Sequence, residues 1–202
     1  MTPFWPGVKG TDNFIDYYTN KPTNFSLVSC RRMSKWNIML DFDRTVAGGH
    51  SGGRNFGPRS PMDAANKRAF LSAVAGWLRD GHRVIIVTRG IDVLIKDYFE
   101  TVLGLMPVMY DMRPGYVSIY APDEELFNSD GSVDFWATIK TEFVADILKK
   151  LGSDGSSTLF MDDTRENVAL MAATYPLMTC IEAVPGDYLS TYAAVNNVLG
   201  GV

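Results

Sequence analysis

The sequence predicts an α/β fold in three layers, a mainly parallel central sheet with helices on both faces. Two observations carry this. Short apolar runs (WNIML at 36–40, VIIV at 84–87, YVSIY at 116–120, TLFM at 158–161) alternate with longer segments of helical periodicity. Strands that alternate with helices are returned parallel to one another, with the helices covering the sheet. The second observation is size and composition. A chain of 202 residues, 46% hydrophobic and 21% charged, is ordinary for one soluble globular domain and can bury a core without staples.

The elements follow in order. Residues 1–35 are rich in Pro, Gly, Asn and Thr and are read as an N-terminal extension, with 36–202 as the core. Residues 36–40 form a buried strand that runs into DFDRT. Loop 46–60 carries Gly48, Gly49, Gly52, Gly53 and Gly57. A helix then starts with Ser60 as N-cap, Pro61 at its first position and Asp63 where a capping-box acid falls. Phe70, Leu71, Val74, Trp77 and Leu78 recur at helical spacing, and Gly81 ends the helix. Strand 84–87 precedes Thr88-Arg89-Gly90. The next helix has Ile91, Leu94, Ile95, Tyr98 and Val102 on one face and ends at Gly104. Strand 116–120, a polar stretch at 121–134, a helix over 138–151 and strand 158–161 follow. A helix at 165–174, a strand at 178–183 and a last helix from Asp187 complete the pattern.

Several function classes are disfavoured. A net charge of −4 gives no general attraction to nucleic acid or anionic membrane. Cys30 and Cys180 are isolated and make neither a disulfide framework nor a zinc site, which fits a reducing compartment. The opening MTPFWPGVKG lacks the basic and apolar regions of a signal peptide. No apolar run approaches the ~20 residues of a membrane span. The expectation is a soluble cytoplasmic protein with no membrane partner. The basic cluster Arg31, Arg32 and Lys35 precedes the first strand, so it lies at the end of the sheet away from any site.

In parallel sheets ligands bind at the carboxyl ends of the strands. The polar residues just after the strands form one chemical set: Asp41 and Asp43, Thr88, then Asp162 and Asp163, with Lys140 opening the helix before strand 158–161. Carboxylates gathered this closely repel unless a cation lies among them, and an oxygen-rich site with waters suits magnesium. A metal with an added lysine suits a phosphate dianion, whose oxygens Thr88 and neighbouring amides can hold.

These residues resemble the motifs of the haloacid-dehalogenase (HAD) superfamily. NIMLDFDRTV is similar to its first motif, VIIVTRG to its second, Lys140 in IKTEFVADIL to its third and TLFMDD to its fourth, in order over residues 36–183. The resemblance implies a Rossmann-like (HAD) sandwich and a magnesium-dependent phosphatase acting on phosphate monoesters. It implies that Asp41 is the nucleophile and becomes an aspartyl-phosphate, and that Asp43 is the general acid and base. It further implies that Thr88 and Lys140 bind the phosphoryl oxygens. Magnesium would be held by Asp41, the Asp43 carbonyl and Asp162, with Asp163 acting through water or orienting Lys140. Asn167 lies where some relatives carry another polar group. Arg44 and Arg89 sit within the motifs with their side-chain directions open. Arg89, His50 and Arg54 are carried as substrate-binding candidates, with Arg59 on the same loop.

Relatives often insert a cap domain after the first or second motif. Neither loop 46–60 nor stretch 121–137 is long enough for one, so a capless or minimally capped enzyme is expected. Among relatives that arrangement goes with bulky substrates, such as phosphoproteins or polynucleotide ends, or with caps borrowed from a partner subunit; a nucleotide is the other substrate expected. Nucleic acid is then a partner only as substrate. Two rival readings are a HAD-type phosphotransferase and a non-catalytic binding module on the same scaffold.

Overall fold

β1 (Asn37–Leu40) is buried along its whole length because it lies in the middle of a six-stranded sheet. In the computed structural model, which describes residues 35–48, 64–129 and 133–200, the other strands are β2 (Arg83–Val87), β3 (Val108–Met109), β4 (Val117–Tyr120), β5 (Thr158–Asp162) and β6 (Thr179–Glu182). Their order across the sheet is β3-β4-β2-β1-β5-β6, and every pairing is parallel. A parallel sheet must be covered on both faces, and the strand residues alternate accordingly. Ile38, Leu40, Val84 and Ile86 enter one core, while Met39, Ile85 and Val87 enter the other.

The first core is closed by α1 (Ala64–Arg79), α2 (Asp92–Asp97) with its continuation, and α6 (Tyr188–Gly200). These contribute Phe70, Val74 and Trp77, then Ile95, Tyr98 and Phe99, then Tyr192, Val195 and Leu199. Among the described residues the second core is closed by α4 (Val133–Leu151), through Val144, Ile147 and Leu148, and by α5 (Arg165–Thr174), through Met171. A short helix, α3 (Glu124–Ser129), precedes α4. The predicted three-layer α/β sandwich is therefore the observed one. The described residues belong to one compact unit, Met33–Val202.

The details depart from expectation in four places. The helix after β2 is not α-helical throughout. After α2 it continues as a π-helix over Tyr98–Leu103 and ends at Gly104, whose φ of 72° suits a residue without Cβ. The wider register buries Phe99 and Leu103 as well as Ile95 and Tyr98, a broader stripe than the α-period predicts. β3 was not expected, since two residues give no readable alternation. The stretch after β4 contains α3. Finally, α4 begins at Val133 rather than 138, so Lys140 lies about two turns inside its helix instead of at its start. The N-terminal extension apart from Lys35, loop residues 49–60 and the helix start at Ser60, Pro61 and Asp63 lie outside the described residues. So do the candidates His50, Arg54 and Arg59.

Candidate active site

Sheet order places the nucleophile candidate. The chain moves from β1 to β2 on one side and reaches β5 on the other, so the crevice at a change of winding direction opens beside β1. Leu40 is in register with Met161, and the Asp41 amide extends that ladder by donating to the Met161 carbonyl at 2.8 Å. Asp41, just past β1, is thereby set beside Asp162, the last residue of β5.

Both carboxylates are buried, and Lys140 reaches them from α4. Its Nζ donates to Asp41 Oδ1 and to Asp162 Oδ2, each at 2.6 Å, and is itself buried. The Phe42 amide also donates to the Asp41 carboxylate. Asp162 is held further: the Thr164 amide donates to its Oδ1 at 2.8 Å, and Asn167 Nδ2 reaches both oxygens at 3.1 Å. Asp163 follows it, half-buried. Thr164 Oγ1 donates to Asp163 Oδ1 at 3.3 Å, and Arg44 lies 4.0 Å from its Oδ2.

On the other side of β1, Thr88 caps the end of β2. It is buried, its amide donates to the Tyr120 carbonyl at 3.1 Å, and its Oγ1 accepts the Gly90 amide at 3.1 Å. Arg89, next in the chain, is half-buried, as is Asp43 two residues beyond Asp41.

The charges in this pocket are unequal. Burial pushes the Asp41 carboxyl up to about 7; Lys140 pulls it down and Asp162 raises it. Burial likewise raises Asp163, with Asp162 adding to the effect and Lys140 opposing it. Burial works against the Lys140 ammonium, but Asp41 and Asp162 outweigh it and hold the pKa above its usual value. Lys140, with the more exposed Arg44 beside Asp163, still leaves three acids under-neutralised in a low-dielectric setting. Asp41, Asp162 and Asp163 each offer an oxygen, and these atoms lie within 4.8 Å of one another. Three hard oxygen donors with unbalanced negative charge fit a divalent cation such as magnesium.

The sequence reading missed Thr164. An aspartate followed two residues later by a helix-opening threonine is an Asx-turn signal, and that signal was present in Asp162-Asp163-Thr164. Asn167, which lies where some relatives carry another polar group, donates to Asp162.

Neither a protein-family model nor a curated protein matches the chain. Solved structures do. The N-terminal part of a Bacteroides fragilis protein, containing a phosphatase domain complexed with Mg, superposes with a TM-score of 0.57 at 22% identity. It covers 82% of this chain, while this chain spans only 40% of that structure. The HAD domain of effector protein Lem4 from Legionella pneumophila, an inactive mutant, gives a TM-score of 0.47 at 16% identity, covering 82% of this chain and 94% of that one. The chain shares the fold of the Bacteroides fragilis phosphatase-domain structure, a parallel sheet covered by helices on both faces.

Proposed function

We propose that the chain is a HAD-type phosphohydrolase that cleaves phosphate monoesters with magnesium. One observation carries the reading. A buried lysine from α4 bridges the acids that end two adjacent parallel strands, β1 and β5, with a third acid and a buried threonine alongside. A merely structural ion pair needs one acid for one lysine. The surplus carboxylate and the position at the carboxyl ends of the strands suit a site that takes up a cation and an anionic substrate.

In this reading a carboxylate oxygen of Asp41 attacks phosphorus, and the bond from phosphorus to the leaving oxygen breaks. Asp43 gives its proton to that oxygen, releasing the alcohol and leaving an aspartyl-phosphate. Asp43, now ionised, takes a proton from a water that attacks the same phosphorus, which frees inorganic phosphate and restores Asp41. Lys140 and the Thr88 hydroxyl bind the phosphoryl oxygens, and the buried setting strengthens both contacts. Arg89, His50 and Arg54 are proposed to contact the substrate. Asp41, Asp162 and Asp163, with the Asp43 carbonyl, would hold magnesium, which when bound neutralises phosphoryl charge. Asn167 and Thr164 keep Asp162 in one orientation. Among the described residues no separate cap domain is seen, and the substrate is proposed to be bulky, a phosphoprotein or polynucleotide end, or a nucleotide.

The test is phosphate release from a chromogenic phosphate ester, with magnesium and with chelator. Magnesium-dependent release that Asp41→Asn abolishes supports the reading. No release from that ester or from a panel of nucleotides, sugar phosphates, phosphopeptides and 3′-phosphorylated oligonucleotides would remove it.

A further inference from the structure

The general acid of the proposed reaction sits on a loop, and its placement depends on what fixes that loop. From Asp41 to Gly48 the chain contains no regular element. It is nevertheless tied down at successive points. The amides of Thr45, Val46 and Ala47 all turn back onto the Phe42 carbonyl, at 3.4, 2.9 and 2.8 Å. The Phe42 ring packs edge-on against Tyr98 at 5.1 Å. Between these anchors Arg44 is held at φ 56°, a left-handed conformation that a non-glycine residue adopts only when its surroundings impose it.

Two of those surroundings come from the far end of the chain. The Tyr188 hydroxyl donates to the Ala47 carbonyl at 3.1 Å, and the Tyr192 hydroxyl donates to the Thr45 carbonyl at 3.4 Å, both in buried positions. The two tyrosines are one turn apart on α6 with stacked rings, so both face the loop. Burial, reinforced by Tyr188 and Tyr98, raises the Tyr192 phenol far above its ordinary pKa and keeps its proton on as donor. The helix that carries them is itself fixed. Asp187 receives the Ser190 amide at 3.2 Å, and Thr191 Oγ1 both donates to the Asp187 carbonyl and accepts the Val184 amide. Trp77 of α1 donates to Asn196 at 2.8 Å and packs on the Tyr192 ring. The hydroxyls are thus presented from a rigid element to two buried carbonyls of a strained loop.

We propose that Tyr188 and Tyr192 are positioning residues for Asp43: their hydroxyls hold the Thr45 and Ala47 carbonyls and so fix the backbone that carries the general acid. This rests on the phosphohydrolase reading. Tyrosine at these positions is then needed for its oxygen, since phenylalanine would serve the aromatic packing equally well. Removing the hydroxyls leaves two buried carbonyls short of a donor and lets Arg44 relax, and Asp43 moves with it. Asp41 is held separately by β5 and Lys140, so it stays in place.

The test is the double variant Tyr188→Phe/Tyr192→Phe, which keeps both rings. The readout is kcat/KM, which reports the steps through phosphoryl transfer, on two esters in magnesium. An alkyl phosphate needs its leaving oxygen protonated; p-nitrophenyl phosphate scarcely does. The expected result is a loss of about tenfold on the alkyl ester and less than about twofold on the nitrophenyl ester, the scale of a displaced reacting group. Hydrogen exchange at the amides of Thr45–Ala47 should rise in the variant while that of β1 does not. Equal loss on both esters, no loss on either, or unchanged exchange at those amides overturns the positioning role and leaves the phosphohydrolase reading standing. A wild type that releases phosphate from no ester removes that reading, and the positioning role with it.

Discussion

Lys140 Nζ lies 2.6 Å from Asp41 Oδ1, although 99 positions separate the two residues in the chain. Neither group would be stable there alone. A buried carboxylate and a buried ammonium each cost several kcal/mol to desolvate, and the pair persists because each supplies the other's counter-charge. Asp162, at the same distance from the same nitrogen, makes the arrangement three-centred and leaves it negative. An ion pair of this kind is weak evidence of added stability. It suits the proposed site, which takes up an anion and a cation together.

Lys140→Met should therefore damage both stability and activity. In chelator, two buried acids would face each other without a counter-ion, and unfolding free energy should drop by about 3–5 kcal/mol. The Asp41 carboxyl, already pushed up to about 7, would rise further. A carboxyl whose folded pKa exceeds its unfolded value gains stability on acidification, so the loss should be smaller at pH 5 than at pH 8. Urea titrations at both values check this. A variant as stable as wild type at pH 8 would show that the lysine is not the counter-charge.

Asp43→Asn should reduce turnover by about 10²–10⁴-fold, the usual worth of general acid–base catalysis. The first-step loss should shrink as the leaving group improves. A single-turnover series across leaving groups measures it, and equal losses along the series would count against the acid role.

Activity should require magnesium and vanish with thorough chelation, because three carboxylates and one lysine leave the site under-neutralised. Calcium should inhibit, since its looser and higher coordination suits in-line displacement poorly. Magnesium should also raise the melting temperature of wild type, and less that of Asp162→Asn. A melting curve indifferent to magnesium would refute the metal assignment without reference to any substrate.

At the other end of the sheet, His82 is buried and its Nδ1 accepts the Trp36 amide at 3.1 Å. Burial lowers its pKa, with Asp80 opposing. A histidine depressed in the folded state binds its proton more readily when unfolded. Its contribution is thus present above about pH 6.5 and is lost as the pH falls through the lower folded value. His82→Asn, whose oxygen accepts the same amide, should flatten that part of the acid dependence. Parallel urea midpoints between pH 8 and 5 test it; identical slopes in both proteins would assign the dependence elsewhere.

Much of this was legible in the sequence because parallel strands advertise themselves. β1, β2 and β5 are mostly apolar and lead into polar residues, and those ends meet at the candidate site. The departures have physical reasons. Val108–Met109 is too short to show a period. The π-register at Tyr98–Leu103 depends on how Phe99 packs against Phe42 and Phe70, not on local propensity. The helix that carries Lys140 begins at Val133 rather than at 138, because the polar stretch before it hides the first turns of α4. Tyr188 and Tyr192 carry no mark of this role in the sequence, since a hydroxyl that meets a backbone carbonyl 141 residues away leaves no local trace.

The identity of the nucleophile is tested most directly by the turnover of purified Asp41→Asn in magnesium, on an ester that wild type hydrolyses. An amide cannot attack phosphorus, while its size and shape leave the packing around Met161 and Lys140 intact. The expected result is a folded protein with wild-type secondary structure and turnover well below about a tenth of wild type, as follows when a group acting in the transition state is removed. Turnover at a tenth of wild type or more, from a preparation free of the parent enzyme, would contradict the assignment of Asp41.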